Sequence, residues 1–366
     1  MKIAYLIEYF EPFSRGAENN CYYLAKELAK KHDVQVYTSD RKDGKIASSY
    51  EVIDNIKVHR FKPFLRFRYY LSITPGLIKI LKEDYDIVHV HSFGFIWHDF
   101  IVFLLKLRGT KVVNTPHGPF MALPSYNIFQ RVFRGIIRFF EFFINKLYDI
   151  VIQVNPEQYK WMTKEGVNLE KIKFIPNGIS EENFKEIKQN KYKSNKKIIS
   201  YVGGLQKYKG IEQIIKILPD FKDVKFICVG EGEDRKRLEK IAKDLKVDVV
   251  FTGRISDNEK LQVLDASDVF ILPSEWEAFG IVILEAMVRG NAIISTKTEG
   301  GLFLISKENG FLYDFGNLKQ LKEKLEVLLK DKKLLEKIKK NNLKKAKEFL
   351  WKDIAKDLEK VYKELR

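Results

Sequence analysis

Short apolar runs alternate along the chain with longer stretches whose apolar positions recur every three or four residues. Lys2–Ile7 reads as a first strand. Gly16–Lys31 reads as a helix with Tyr22, Leu24, Ala25, Leu28 and Ala29 as its main apolar positions. Val34–Thr38, Ile87–Val90, Val112–Asn114 and Ile150–Gln153 follow as strands with helical segments between them, and Lys173–Pro176 closes this half. A second series then begins: Ile198–Val202, Lys225–Val229, Val249–Thr252, Val269–Leu272 and Ala292–Ser295. A last helix, Phe349–Arg366, carries Trp351 and Tyr362. Strand–helix–strand alternation predicts parallel, doubly wound sheets, one in each half. Between the halves, Lys185–Lys197 holds six lysines and one acid and reads as a solvated linker. Open sheets of this class bind ligands beyond the carboxyl ends of their strands. Two of them facing each other would put the ligand in the cleft between.

Composition narrows the function. At 366 residues the chain is too long for one ordinary core and suits two domains. Its net charge of +16 favours polyanionic partners: nucleic acid, phosphorylated small molecules or an anionic membrane surface. The lysines are spread over many helices, which argues against one dedicated nucleic-acid face. Cys21 and Cys228 read as reduced core residues of a cytosolic protein and not as a disulfide. The N-terminus reads as a strand and not a signal peptide, and no run of 18 uncharged apolar residues exists to span a membrane.

Candidate chemistry sits where strands end in glycine. In FEPFSRGAEN, Gly16 opens a helix whose free N–H groups and dipole can receive a phosphate; the alternative is a plain helix start capped by Ser14. In YVGGLQKYKG, Gly203 and Gly204 follow a strand, and Lys207 and Lys209 supply charge for a diphosphate; the alternative is an ordinary turn with solvated lysines. No Walker A spacing is present. CVGEGEDRKRLEK repeats the layout with Gly230 and Gly232, and FTGR ends another strand at Gly253 and Arg254. In SEWEAFGIVILEAM, Glu277 and Glu285 stand eight positions apart across Ala278, Phe279, Gly280 and Ile281. On one continuous helix that spacing is about 80° off one face, a poor carboxylate pair. With Gly280 breaking the helix, the two acids become binding clamps for hydroxyls around a helix N-terminus; the alternative is a solvated loop acid and a plain helix acid.

In order, the chain has Gly16-Ala17-Glu18, His117-Gly118, Pro176-Asn177-Gly178, Gly203 through Gly210, Gly230-Glu231-Gly232, Phe251-Thr252-Gly253, Glu277 with Glu285, and the late Trp351 helix. This ordered set resembles a family-4 glycosyltransferase of the GT-B fold, over nearly the whole chain. The resemblance implies two Rossmann-like parallel-sheet domains facing across a cleft. Residues 1–182, completed by the helix 349–366, would form the acceptor domain, and 183–348 the nucleotide-sugar domain. It implies a retaining transfer of a hexose from a nucleotide-sugar, a UDP-sugar favoured and GDP-mannose as the other candidate, to a glycan or lipid-linked glycan. Glu277 would contact the donor sugar, Glu285 the ribose, Gly16 and Lys209 the diphosphate, and the segment at Arg254 the base. His117 would help place the reacting centre. Gly203, Gly204, Gly230, Ala278, Phe279, Gly280 and Ile281 would complete the donor site. Neither a metal nor any other cofactor would be needed, since lysine and helix N-termini stabilise the leaving group. Two positions depart from the family pattern: Gly204 stands where many members carry Arg, and Leu304 where an acid is usual. The departures leave open a sugar-nucleotide-binding or non-catalytic partner subunit. A nicotinamide dehydrogenase is disfavoured by the missing GxGxxG, and a nucleic-acid binder rests on charge alone.

Phe129–Leu147 sets Arg131, Arg134, Arg138 and Glu141 on one stripe opposite a broad apolar face. Seven Lys/Arg and one acid lie between Val102 and Tyr148, and Phe61–Tyr70 mixes basic and aromatic residues. Two readings follow: a membrane-surface element, which would put the protein at the inner face of the cell membrane, or a core helix with a solvated basic stripe. His89 and His91 share one face of a strand and read as structural.

Overall fold

The computed structural model describes residues 1–13, 16–42, 44–67, 71–91, 93–118 and 128–366. Ser14, the alternative cap for the first helix, lies outside them, as do residues 68–70 of the basic–aromatic stretch. The chain divides into two compact units, Met1–Asn177 with Trp351–Arg366, and Gly178–Leu350.

Among the described residues the main sheet of unit 1 has eight strands: β1 (Lys2–Ile7), β2 (Asp33–Ser39), β3 (Tyr50–Ile53), β4 (Ile56–Phe61), β5 (Ile87–His91), β6 (Val112–Asn114), β7 (Ile150–Gln153) and β8 (Ile172–Phe174). Their spatial order is β8-β7-β6-β5-β1-β2-β4-β3. All neighbours are parallel except β3 and β4, an antiparallel hairpin. The pattern reading passes over this hairpin because β4 carries Lys57, His59 and Arg60 between its apolar residues. Its turn is legible nonetheless: Asp54 and Asn55 both take positive φ, 47° and 65°, as a two-residue hairpin of matching twist requires. β1 lies between β2 and β5, with Ile3 beside Val34 and Ile87, and is buried on both faces from Ile3 onward. Helices α1 (Gly16–Ala29), α2 (Ile96–Leu107) and α3 (Ile128–Ile144) belong to this unit.

The apolar face of α3 meets the protein only in part, since Ile137 is 4% exposed and Phe133 and Ile144 pack on the core, and its polar stripe is not simply solvated. Glu141 is 2% exposed and accepts a hydrogen bond from the Gly94 N–H at 2.8 Å, while Arg138 reaches inward to Glu165 at 2.7 Å. The buried Glu141 carboxyl also meets Asp99 of α2. Burial pushes Asp99 well up and Glu141 to about 7, so the pair shares a proton near neutrality. Val132, Ile136, Phe139, Phe140 and Phe143 are each more than half exposed. Arg131 is among the residues whose side chains are not described.

The last helix, here α6 (Trp351–Leu365), returns to unit 1. Trp351 stacks on Tyr23 of α1 at 5.6 Å between ring centres, and the Tyr362 hydroxyl lies 3.2 Å from that of Tyr5 and 2.5 Å from His89 Nδ1.

Unit 2 has six parallel strands: β9 (Lys197–Val202), β10 (Val224–Val229), β11 (Val249–Gly253), β12 (Val269–Leu272), β13 (Ala292–Thr296) and β14 (Gly310–Tyr313). Their order is β11-β10-β9-β12-β13-β14. The short edge strand β14 escapes the apolar pattern because Gly310 opens it. Lys185–Lys197 is no free tether. Asn190 donates to the Gln262 carbonyl at 2.7 Å and Tyr192 to Glu259 at 2.6 Å, so the segment is fastened to the helix α4 (Asp257–Ala266), and the division between units falls at Asn177. Both cysteines are free and buried. Among the described residues no helix is long and apolar enough to cross a membrane.

Because Trp351 is 3% exposed and joins α6 to α1, Trp351→Ala is expected to destabilise unit 1 by about 3–5 kcal/mol. The measurement is urea unfolding followed by circular dichroism, where one of two resolved transitions should move and the other stay.

Candidate functional site

In unit 2 the strand order reverses beside β9: β10 and β11 lie on one side, β12 to β14 on the other. β9 and β12 lie side by side at this point, and the loops leaving their carboxyl ends border a common crevice. The loop after β9 carries Gly203, Gly204 and Lys209; the loop after β12 carries Glu277. They meet there, with Lys209 Nζ 2.7 Å from Glu277 Oε2. Burial alone would lower the Lys209 pKa, but the Glu277 charge beside it outweighs this and the net shift is upward. The two loops are also stitched by Glu275 N–H to the Tyr208 carbonyl at 2.8 Å and by Gln213 Nε2 to the Pro273 carbonyl at 3.1 Å.

Gly280 separates the two glutamates. It caps the helix α5 (Ile281–Val288) at φ 79° and ψ 61°, a left-handed conformation that residues with a Cβ adopt at a cost. Glu277 thus stays in the loop while Glu285 lies in the second turn of α5. The first N–H groups of a helix have no partner within it, so the start of α5 offers donors beside Glu277. Glu285 is 7% exposed, and its Oε1 accepts from Lys260 Nζ of α4 at 2.8 Å. Its Oε2 is buried with no hydrogen-bond partner among the described residues. That orphaned oxygen is a free acceptor for a ligand hydroxyl. No sequence pattern marks Lys260. Its partner stands 25 positions away, and only the packing of α4 against α5 brings them together.

The remaining predicted residues fall as follows. Gly230 abuts Gly203 so tightly that a Cβ would lie 1.9 Å from the Gly203 carbonyl oxygen, so these two strand ends pack backbone on backbone. The Tyr201 hydroxyl donates to the Gly204 carbonyl at 2.8 Å and pins that loop. A Cβ on Gly204 would meet the amide end of Gln206, a flexible group, so a side chain has room there once Gln206 turns. Arg254 is exposed after β11 and makes no ion pair among the described residues. Phe279 points inward, 2% exposed, its ring 5.9 Å from Phe303 and 6.3 Å from Phe349, so only its backbone is left to meet a ligand. Leu304 is fully buried: the position that departs from the family acid is part of the core.

Gly16 and His117 belong to unit 1, where the strand order reverses between β1 and β5. Gly16 is the first residue of α1. His117 follows β6 at φ 61°, with the Gly118 N–H bonded back to the Pro116 carbonyl at 2.8 Å. This is a γ-turn of the positive-φ kind, rare for a non-glycine residue and a mark of stored strain. His117 Nε2 lies 3.0 Å from His91 Nδ1, so the histidine pair read as structural includes one that touches a predicted site residue. Burial holds His117 and His89 near pKa 3 and His91 well below its ordinary value, so all three rings are neutral.

Removing Lys260 would strand a buried carboxylate. Lys260→Met is therefore expected to cost about 3 kcal/mol or more, and the Lys260→Met/Glu285→Leu double variant less than the single one. Denaturant midpoints of the two variants compare them directly.

The chain is similar to known proteins over most of its length. The family described as glycosyl transferases group 1 matches residues 182–345, and glycosyltransferase family 4 matches 14–183. It is 27% identical to an uncharacterized glycosyltransferase of Methanocaldococcus jannaschii over 98% of this chain and 97% of that one. It is 24% identical to the sulfoquinovosyl transferase of Arabidopsis thaliana over 77% of this chain, which spans 57% of that longer protein. Its fold is that of GT-B enzymes. A sucrose-phosphate synthase from Thermosynechococcus elongatus superposes with a TM-score of 0.83 at 20% identity, over 100% of this chain and 99% of that one. HepE of Anabaena, in complex with UDP and glucose, superposes with 0.81 at 19% identity over the whole of both chains. The two family matches run without a break from residue 14 to residue 345, and the chain belongs to the group 1, family 4 glycosyltransferases.

Proposed function

We propose that this glycosyltransferase moves a hexose from a nucleotide-sugar, a UDP-sugar in preference to GDP-mannose, to a hydroxyl of a glycan or lipid-linked glycan, with retention of anomeric configuration. The observation that carries this reading is the Lys209–Glu277 pair at the crevice between β9 and β12, beside the open N-terminus of α5. A lysine and an acid joined at 2.7 Å are matched to a ligand that is phosphate at one end and polyhydroxylated at the other. On binding, the diphosphate takes over Lys209 and the sugar hydroxyls take over Glu277. The ribose hydroxyls satisfy the orphaned Oε2 of Glu285, whose other oxygen stays with Lys260. The UDP preference draws on HepE, which has this fold and whose complexes hold UDP, glucose or UDP-glucose.

In this reading the acceptor oxygen bonds to the anomeric carbon on the face from which the diphosphate departs. The carbon–phosphate-oxygen bond breaks, and a departing phosphate oxygen takes the acceptor proton. Lys209 and the α5 N–H groups stabilise the charge that grows on the leaving group, so the reaction proceeds without a metal. Glu277→Ala is expected to lower kcat/KM by about 100-fold or more. A thermal-shift panel of UDP-, GDP- and ADP-sugars finds the donor, and transfer assays with it measure the loss. Full activity in Glu277→Ala would sink the site assignment.

The outward apolar face of α3 supports an acceptor presented at a membrane. Phe139, Phe140 and Phe143 face solvent, Lys146 stands over the Phe142 ring at 4.4 Å, and the chain carries +16. Aromatic residues with a basic margin match the interface of an anionic bilayer, here the inner leaflet of the cell membrane, with the protein peripheral to it. Cosedimentation is expected with vesicles containing anionic phospholipid and not with neutral phosphatidylcholine vesicles. Phe139→Ser/Phe143→Ser should reduce it by about tenfold or more. Equal retention of the variant on the anionic vesicles would count against this face.

A further inference from the structure

His117 and His91 share one hydrogen bond, from ring nitrogen to ring nitrogen, at 3.0 Å between His91 Nδ1 and His117 Nε2. One of the two must donate. The other ring nitrogen of His91, Nε2, is buried and has no partner among the described residues. Consider each direction with both rings neutral. If His117 donates from Nε2–H, His91 Nδ1 must be bare, and the His91 proton moves to Nε2. That leaves a buried N–H with no acceptor, which is among the least tolerated groups in a protein interior. If His91 donates from Nδ1–H, its Nε2 is a bare lone pair, and no N–H is stranded. A doubly protonated His91 has no support, since burial and the rings of His89 and His117 act against charge there.

We infer that His91 donates from Nδ1–H to His117 Nε2 and is a positioning residue that holds His117 as its Nδ1–H tautomer. The consequence for the reaction rests on the reading of His117 as a donor-sugar contact. His117 makes no other hydrogen bond among the described residues, so Nδ1–H is what the ring has left to offer. It presents a hydrogen-bond donor to a sugar hydroxyl or phosphate oxygen. It cannot take a proton there, so it is no general base at that nitrogen, in keeping with a departing phosphate that accepts the proton itself. The strained turn at His117 fixes the backbone that carries the ring, and the bond to His91 fixes the ring upon it. His91 is itself anchored in β5, whose neighbour His89 is bonded on both sides, to Tyr362 of α6 and to Thr115 at 2.8 Å.

Imidazole nitrogen-15 spectra of the full chain test this, because protonated and bare ring nitrogens resonate far apart. The chain has six histidines, and His117→Gln identifies the His117 signals by their loss. The expected result is an Nδ1–H tautomer at His117. His91→Asn places an amide donor where Nδ1 stood and should keep that tautomer, with kcat/KM within about threefold of the parent. His91→Phe keeps the ring volume without the donor. It should let the Nε2–H form of His117 appear and lower kcat/KM by about tenfold, as the loss of one well-placed hydrogen bond would. An Nε2–H tautomer in the parent protein, or an unchanged tautomer in His91→Phe, overturns the inference. The two readings can fail separately. An Nδ1–H tautomer whose signals ignore a bound UDP-sugar upholds the positioning by His91 and removes His117 from the donor site.

Discussion

The reversal of strand order beside β9 is the constraint on which the site of unit 2 depends. A parallel sheet cannot turn back on itself with tight hairpins, so each crossover carries the chain to a neighbouring position over a helix. Once β10 and β11 have filled one side, β12 must start on the other. The loops at the carboxyl ends of β9 and β12 then lie side by side at that edge, tied by Glu275 N–H to the Tyr208 carbonyl. The predicted Lys209 and Glu277 are set along that edge. Lys209 is held against Glu277, and α5 opens toward the same crevice.

Charge in that crevice is prepared in pairs. Lys209 with Glu277 and Lys260 with Glu285 are mostly buried, and each partner offsets part of the cost of burying the other. The pairs differ in what remains open. Lys209 and Glu277 can each exchange a protein partner for a ligand atom of the same sign. Glu285 keeps Lys260 and still has one oxygen unused. In the proposed function the first pair opens to the donor and the second stays a fixed cradle. Unit 1 handles polarity differently. At its strand ends the histidines are kept neutral by burial, and the buried carboxyls of Asp99 and Glu141 stay together by sharing a proton. With Glu141 buried, Phe139, Phe140 and Phe143 on the same helix are left to the solvent.

Much of this was legible in the amino-acid sequence. Continuous apolar runs such as Val269–Leu272 locate the buried parallel strands, because strands covered on both faces have no polar side to confuse the pattern. Gly280 signals that Glu277 and Glu285 are not on one helix, because a cap in the left-handed region calls for glycine. Patterns carried on one face were weaker. The hairpin of β3 and β4 hides behind its charged residues, and the amphipathic period of α3 fixes that it has two faces but not which one meets the protein.

Sequence by itself determined the two α/β units, the glycine-marked strand ends and the residue types that a phosphate-and-sugar ligand requires, because these follow from local period and spacing. Only the tertiary structure decided the partners: Lys260 for Glu285, His91 for His117 and Glu165 for Arg138. The physical reason is distance along the chain. Hydrogen bonds and ion pairs between side chains tens of residues apart depend on which helices and loops pack together, and no local period encodes that.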